Sequence, residues 1–204
     1  MRTLLTVLAI TALTVAAANA DVLFDNFGPG DTFSTTSGHT IGGFIDQHKA
    51  VGLTIPAGEP VVLNSVTVPV FQNYGGAGGP WGFIRAYVYP DEFGVPSRYP
   101  LEFVAHPSTQ AGNVVITIPF SGTTILEPGA TYWFALNNAT TEEFFWRNST
   151  PSARTLPFAM MFGDDGAWSD MTGVYNDPAI RVEVSPAGVP ADDSSWSSVK
   201  ALFR

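Results

Sequence analysis

The chain of 204 residues has no cysteine, few charged residues and still fewer basic ones. Without cysteine it can form no disulfide, no thiolate metal site and no thiol nucleophile. Charged residues make up 13% of the chain, about half of the roughly 25% that is usual in globular proteins. The formal net charge is −9, which excludes a strongly basic surface for nucleic acid.

Apolar runs that approach the length of a membrane span are also missing after residue 20. The first 20 residues (MRTLLTVLAITALTVAAANA) combine one charge at Arg2, an apolar run and small residues at positions 18 and 20. This pattern is typical of a secretory signal peptide. We therefore predict cleavage between Ala20 and Asp21, and a secreted or bacterial cell-surface protein whose mature chain has no transmembrane segment. A membrane anchor is the alternative, but it needs roughly 20 apolar residues.

Glycine, proline and short strand-like segments are abundant. The chain has 20 glycines and 16 prolines, and 45% of it is hydrophobic. In residues 82–89 the apolar side chains of Ile84, Ala86 and Val88 alternate with larger polar and aromatic ones, which predicts a strand whose first set faces a core. Further strands are predicted at residues 22–27, 50–55, 61–71, 113–120, 131–137, 143–147, 157–162 and 179–184.

Many strands without intervening helices predict an all-β fold. We expect a single antiparallel two-sheet β-sandwich, jelly-roll-like, and keep a closed barrel as the alternative. The predicted sandwich covers residues 21–184. Residues 185–195 are rich in Pro, Gly, Ser and Asp and are interpreted as a linker. Residues 196–204 are predicted to be a short amphipathic C-terminal tail.

A glycine-rich segment between two aromatic residues is the candidate ligand-binding site. Tyr74 and Trp81 flank the sequence GGAGGP, and Tyr87 is predicted to point outward from the following strand. Exposed aromatic rings on β-sandwiches stack on sugar rings, so these three residues predict carbohydrate binding. The segment lacks the lysine and the helix of a phosphate-binding loop.

Acidic residues near the C-terminal part of the predicted sandwich form a candidate metal site. Asp164 and Asp165 precede Gly166, and Asp170 follows shortly after. Carboxylate oxygens on a glycine-containing loop suit a structural calcium ion. The same residues also suit a plain turn, which we favour, so we predict no cofactor and keep structural calcium as the alternative.

The three histidines offer little for catalysis. His39, His48 and His106 are interpreted as surface or strand-edge residues, and no G-x-S-x-G motif accompanies them. A zinc site of His39, Asp46 and His48 is a further alternative, although its spacing matches no known short motif. Adjacent carboxylates such as Glu142 and Glu143 would point to opposite faces of a strand. We therefore predict that the protein is not an enzyme, with an unfamiliar hydrolase as the alternative.

The order of these segments resembles a known family. The turn at residues 126–133 (LEPGATYW), preceded by strands at residues 63–70, 84–89 and 114–120 and followed by Trp146 and Trp168, is similar to the bacterial exported choice-of-anchor domains, in particular type R. The resemblance covers about residues 22–184. It implies a secreted β-sandwich without catalytic residues and with a C-terminal sorting tail, and it transfers no functional residue. The tail departs from the common pattern, because no hydrophobic helix precedes Arg204.

These observations together predict a secreted or cell-surface, non-catalytic β-sandwich with a structural or adhesive role. Its expected partner is an extracellular or cell-envelope protein or glycan. The alternative function is that of a carbohydrate-binding module that uses its exposed aromatic residues.

Overall fold

A computed structural model describes residues 20–43, 45–72, 82–108, 111–138, 143–164 and 166–188. This part of the chain forms strands and turns and no helix. It therefore contains no helical segment able to span a membrane. The strands are β1 Asp21–Asp25, β2 Phe33–Gly42, β3 Gln47–Thr54, β4 Val61–Gln72, β5 Gly82–Glu92, β6 Val95–Pro96, β7 Glu102–Ser108, β8 Gly112–Pro119, β9 Ile125–Leu126, β10 Thr131–Asn138, β11 Glu143–Ser149, β12 Phe158–Phe162, β13 Ser169–Asp170 and β14 Arg181–Pro186.

The strands form two antiparallel layers. In the first sheet, β4 pairs with β8 and β9 along one side and with β14 and β11 along the other. The outer neighbours of β14 and β11 are β1 and β2. In the second sheet the order is β7, β5, β10, β3, β12, β13. The two sheets are joined through a single pair between β2 and β3, Gly42 opposite Gln47.

One hydrophobic core lies between the two sheets. The first sheet contributes Val68 and Trp146, and the second contributes Val88 and Phe134, all within one buried cluster. Two sheets that each bury one face against the other make a β-sandwich, which confirms the predicted fold class. The predicted core face of residues 82–89 is also confirmed, since Ile84, Ala86 and Val88 are at most 2% exposed.

Two long strands, β2 and β7, and the two-residue strands β6, β9 and β13 lie where the sequence analysis predicted none. β2 is rich in Ser and Thr, and only its last part, with His39 and Ile41, faces the core. β7 contains His106 and Pro107, and it pairs with β5 at the edge of the second sheet. Polar residues and proline are tolerated in both strands because each has one neighbour only along most of its length.

The interpretation of the histidines was wrong for two of them. His39 is 7% exposed and lies on β2, and His48 is 2% exposed and lies on β3. Both belong to strands whose side chains are covered by other parts of the chain. Assigning the two residues to loops could therefore not predict their burial. His106 lies on the edge strand β7, as predicted.

Parts of the predicted domain division lie outside the described residues. Residues 1–19 and 189–204 are among these, so the signal peptide and the tail stay predictions. β1 begins at Asp21, directly after the predicted cleavage point. β14 continues to Pro186, two residues into the segment interpreted as a linker.

Candidate functional site

A row of small residues crosses the outer face of the second sheet. Ala135 on β10 lies opposite both Tyr87 on β5 and Ala50 on β3, and Ala50 lies opposite Ala159 on β12. Side chains of opposite residues stand next to each other on the same face, so three adjacent alanines leave a depression in the sheet surface. Trp168, from the segment after β12, packs against this depression.

A cleft of about 710 Å³ lies beside the depression, and we call it the aromatic cleft. Tyr99 at its border is 72% exposed, while Tyr87 and Trp168 are half-buried. The rings of Tyr87 and Tyr89 stack at 5.7 Å, and Trp168 meets Tyr89 edge-on at 5.7 Å. The cleft is lined by His48, Tyr87, Tyr89, Val95, Pro96, Arg98, Tyr99, Pro100, Met161, Asp164, Gly166, Ala167 and Trp168.

The polar part of the aromatic cleft contains a histidine between two carboxylates. His48 Nε2 lies 3.3 Å from Asp164 Oδ1 and 3.7 Å from Asp46 Oδ2, and one ligand atom of each residue lies within 4.8 Å of the others. The backbone N–H of Gly163 donates to the Asp46 carbonyl at 2.8 Å, which holds the two acidic loops together. Asn137 Nδ2 donates to His48 Nε2 at 2.8 Å.

The two distances from His48 Nε2 to the carboxylate oxygens suit a bound zinc ion. Zinc–ligand bonds of about 2.1 Å in a tetrahedron place neighbouring ligand atoms about 3.4 Å apart. The two distances from His48 Nε2 lie on either side of that value. One imidazole and two carboxylates are typical zinc ligands, whereas calcium takes oxygen ligands. An ion at this place would replace the Asn137 amide as the partner of His48 Nε2.

Burial controls the charge of the groups in the aromatic cleft. It lowers the pKa of His48, and the nearby Asp46 and Asp164 carboxylates only partly offset this effect. The imidazole is therefore neutral at pH 7, the form that binds metals. Burial also raises the pKa of Tyr87 and of Tyr89. Both hydroxyl groups thus keep their protons and are available as hydrogen-bond donors to a ligand.

The structure places one of the three predicted sugar-binding residues in the aromatic cleft. Tyr87 lines it, and its ring also stacks on Phe103 of β7 at 5.8 Å. Tyr74 and Trp81 lie outside the described residues, so their part in binding stays a prediction. Sequence analysis missed Tyr99. A tyrosine that is preceded by Ser-Arg and followed by Pro-Leu in a loop is nevertheless a visible signal of an exposed ring.

The two candidate metal sites of the sequence analysis each contribute to the observed cluster. Asp164, from the calcium candidate, lies beside Asp46 and His48, from the zinc alternative. Asp165 lies outside the described residues.

The remaining residues of the calcium candidate and of the zinc alternative lie away from this cluster. Asp170 accepts a hydrogen bond from the Thr172 backbone N–H at 2.9 Å. His39 is on β2 and donates from Nε2 to the Asn176 carbonyl at 2.7 Å. Neither belongs to the cluster of convergent ligand atoms found in the described part of the chain.

We expect Zn²⁺ to raise the melting temperature of the protein by several degrees, because an ion that binds only the folded state stabilises it. Asp164→Asn and His48→Gln should remove the shift. Asp170→Asn is the matched control, because it removes a nearby exposed carboxylate outside the cluster. The measurement is differential scanning fluorimetry with Zn²⁺ and with Ca²⁺. An equal shift with both ions, or a loss of the shift in Asp170→Asn, would contradict the zinc assignment.

Comparison with known proteins gives a fold match only. No family model matches the chain, and no curated protein matches it. Five solved chains match its structure. One contains the cysteine protease and lectin-like domains of Cwp84, a surface layer associated protein of Clostridium difficile, with a TM-score of 0.48, 11% identity, 69% of this chain covered and 32% of that chain.

Another match is a variant of the clostridial cysteine protease Cwp84 after propeptide cleavage. Its TM-score is 0.50 and its identity 11%, and the match covers 76% of this chain and 39% of that one. The present chain thus spans well under half the length of both matched chains. At this identity the second match indicates a shared fold and nothing further.

Proposed function

We propose that this protein is an exported, non-catalytic β-sandwich module that binds a glycan in the aromatic cleft. The observation that carries the proposal is the group of accessible rings on the outer face of the second sheet: Tyr99, Tyr87 and Trp168. A sandwich of this size needs large aromatic residues in its core, but it has no structural need for a tyrosine that is 72% exposed.

The chemistry of the aromatic cleft suits a sugar better than an apolar ligand. Sugar rings present C–H faces to aromatic side chains and hydroxyl groups to polar ones. Tyr87 and Tyr99 supply the rings, while Arg98 and Asp164 line the same cleft and can bind hydroxyl groups. Arg98 lies over the Tyr99 ring at 5.6 Å, which orients both side chains.

The contacts of the histidines argue against a serine hydrolase. A serine hydrolase needs a hydroxyl nucleophile bonded to a histidine. In the described part of the chain, His48 contacts the Asn137 amide and two carboxylates, and His39 contacts the Asn176 carbonyl and an Asn side chain. Neither histidine is hydrogen-bonded to a hydroxyl group there. The predicted signal peptide and the resemblance to choice-of-anchor domains support export and display at a bacterial surface, where a glycan-binding module would act as an adhesin.

We expect Tyr99→Ala to weaken glycan binding at least tenfold, because the stacking ring is lost while the exposed position costs little stability. Trp168→Ala should weaken it as strongly. Phe145→Ala is the matched control, because Phe145 is a half-buried ring on the first sheet, packed against Phe71 at 6.1 Å. A glycan array identifies the ligand, and isothermal titration calorimetry then compares the variants. If no glycan binds, or if Tyr99→Ala binds as the parent does, the cleft is not a sugar site.

A further inference from the structure

A second cavity opens at one end of the sandwich, between the two sheets. Its volume is about 490 Å³, and β2, β3, β12 and residues 174–176 contribute to its walls. Two cationic side chains line it, Lys49 and Arg154, and none of its lining residues in the described part of the chain is acidic. We call it the basic pocket. In a chain with 18 acidic and nine basic residues, this charge distribution is unexpected.

Lys49 occupies a position where an apolar residue is expected. Along β3, Val51 and Leu53 point into the core between the sheets, and Lys49 precedes them in the same alternation. Lys49 is only 5% exposed. Lysine is almost never buried to this extent without a partner of opposite charge.

The ammonium group of Lys49 lacks an anionic partner among the described residues. An ammonium group has three N–H donors. Lys49 Nζ donates to Gln47 Oε1 at 2.8 Å, contacts the weak acceptor Met160 Sδ, and lies 5.6 Å from the centre of the Phe162 ring. The ion pairs found in the described part of the chain involve Arg181 and His48 instead. A buried positive charge with one good acceptor is therefore left without charge compensation.

Burial lowers the pKa of Lys49 from 10.5 to about 8. The group therefore remains mostly protonated at pH 7, even though burial disfavours its charge. Burial also lowers the pKa of the neighbouring His39, and the charge of Lys49 lowers it further. His39 is thus neutral at pH 7 and does not compete for an anion.

The rest of the basic pocket offers neutral hydrogen-bonding groups and one aromatic wall. Arg154 at the border is exposed, and its Nε donates to Asn176 Oδ1 at 3.0 Å, which fixes the guanidinium beside the opening. Asn148 Oδ1 is buried and has no donor while His39 is neutral. Tyr175 is 40% exposed and packs edge-on against Phe158 at 5.7 Å.

We propose that the basic pocket binds a sugar that carries one carboxylate, a hexuronate. Its carboxylate group binds Lys49 Nζ and receives further charge compensation from Arg154, while its hydroxyl groups bind the amides and its ring lies against Tyr175. The volume is within the range of small-ligand sites, about 300–1,000 Å³. One buried cation matches one carboxylate, and the neutral polar lining matches hydroxyl groups. This site is separate from the aromatic cleft, and the proposal does not depend on the function proposed there.

The experiment is calorimetric titration of the full chain with D-glucuronate, with D-glucose and with acetate, in a buffer free of phosphate. We expect binding of glucuronate, none of glucose and at least tenfold weaker binding of acetate. Lys49→Met should reduce glucuronate affinity at least tenfold, and Arg154→Gln several-fold. Arg181→Gln is the matched control, because it removes a basic side chain that lines neither the basic pocket nor the aromatic cleft, and it should leave glucuronate binding unchanged.

Thermal unfolding distinguishes this role of Lys49 from a structural one. Removing an uncompensated buried charge should raise the melting temperature of ligand-free Lys49→Met by a few degrees, whereas glucuronate should stabilise only the parent. Equal binding of glucuronate and glucose would overturn the proposal, and so would equal binding of glucuronate and acetate. Unchanged affinity in both variants would overturn it too, and since Arg154 is exposed, Arg154→Gln keeps the test valid even if Lys49→Met fails to fold.

Discussion

Gly42→Ala should lower the free energy of unfolding by about 3 kcal/mol or more, because the position excludes a side chain in two ways. Gly42 has φ +69°, a backbone conformation that side-chain-bearing residues adopt at a cost. A Cβ atom there would also lie 2.4 Å from Asn138 Cβ and 2.9 Å from the Asn138 carbonyl oxygen. Gly42 belongs to the pair that joins the two sheets, so the backbone cannot shift without moving β2 relative to β3.

A second glycine separates the cost of the backbone conformation from the cost of the contact between a Cβ atom and its neighbours. Gly173 has φ +76°, but a Cβ atom built on it meets nothing within 4 Å. Gly173→Ala should therefore cost only the backbone contribution, about 1–2 kcal/mol. Urea unfolding of both variants measures the difference. If the two alanine variants lose equal stability, the contact with Asn138 does not constrain the junction of the sheets.

Trp146→Ala should cost about 3–5 kcal/mol, because it removes the largest kind of side chain from the centre of the core. Trp146 is fully buried between the sheets, and its Nε1 donates to the Ala179 carbonyl at 2.8 Å. The alanine variant therefore leaves both a cavity and an unpaired buried carbonyl group. For a domain of this size we expect the melting temperature to fall by roughly 6–20 °C.

Neighbouring and conservative variants test this assignment. Phe145→Ala, one residue earlier but on the outer face, should cost about 1 kcal/mol. Trp146→Phe keeps a ring but loses the hydrogen bond. Its loss of stability should therefore lie between those of Phe145→Ala and Trp146→Ala. Calorimetric or fluorescence-detected thermal unfolding gives the order of the three. A loss in Phe145→Ala as large as in Trp146→Ala would show that the core is not where the two sheets meet.

Local alternation predicted the inner face of the sandwich but not the second buried layer. Ile84, Ala86 and Val88 were correctly predicted to face the core, since period-two apolar patterns report directly on burial of one face. Tyr89 and Trp133 stand on the opposite face and are nevertheless 4% and 1% exposed. They are buried because distant segments, among them the one with Trp168, cover the outer face. Such coverage is a property of the tertiary structure and leaves no trace in the local pattern.

The candidate metal cluster could not be assembled from spacing for a similar reason. Asp46 and His48 are two residues apart, which sequence analysis noted, but Asp164 is distant in the chain. The three meet because β12 pairs with β3, with Met161 opposite His48 and Phe162 opposite Gln47, so the loop after β12 arrives beside the turn before β3. A register of this kind follows from the packing of whole strands. Lys49 was missed because it lies one residue before the predicted strand at 50–55, whereas β3 begins at Gln47. A lysine next to a strand is also normally assigned to the solvent-exposed face.

The pairing of β1 with β14 determines how the domain would respond to mechanical load. Asp21 lies opposite Val184 and Asp25 opposite Arg181, so the start of the first strand and the end of the last strand share one corner of the first sheet. A pulling force between these two ends would break the backbone hydrogen bonds between β1 and β14 one after another, instead of loading all of them at once. A module tethered at either end would therefore be loaded at that corner of the first sheet, whereas the aromatic cleft lies on the second sheet.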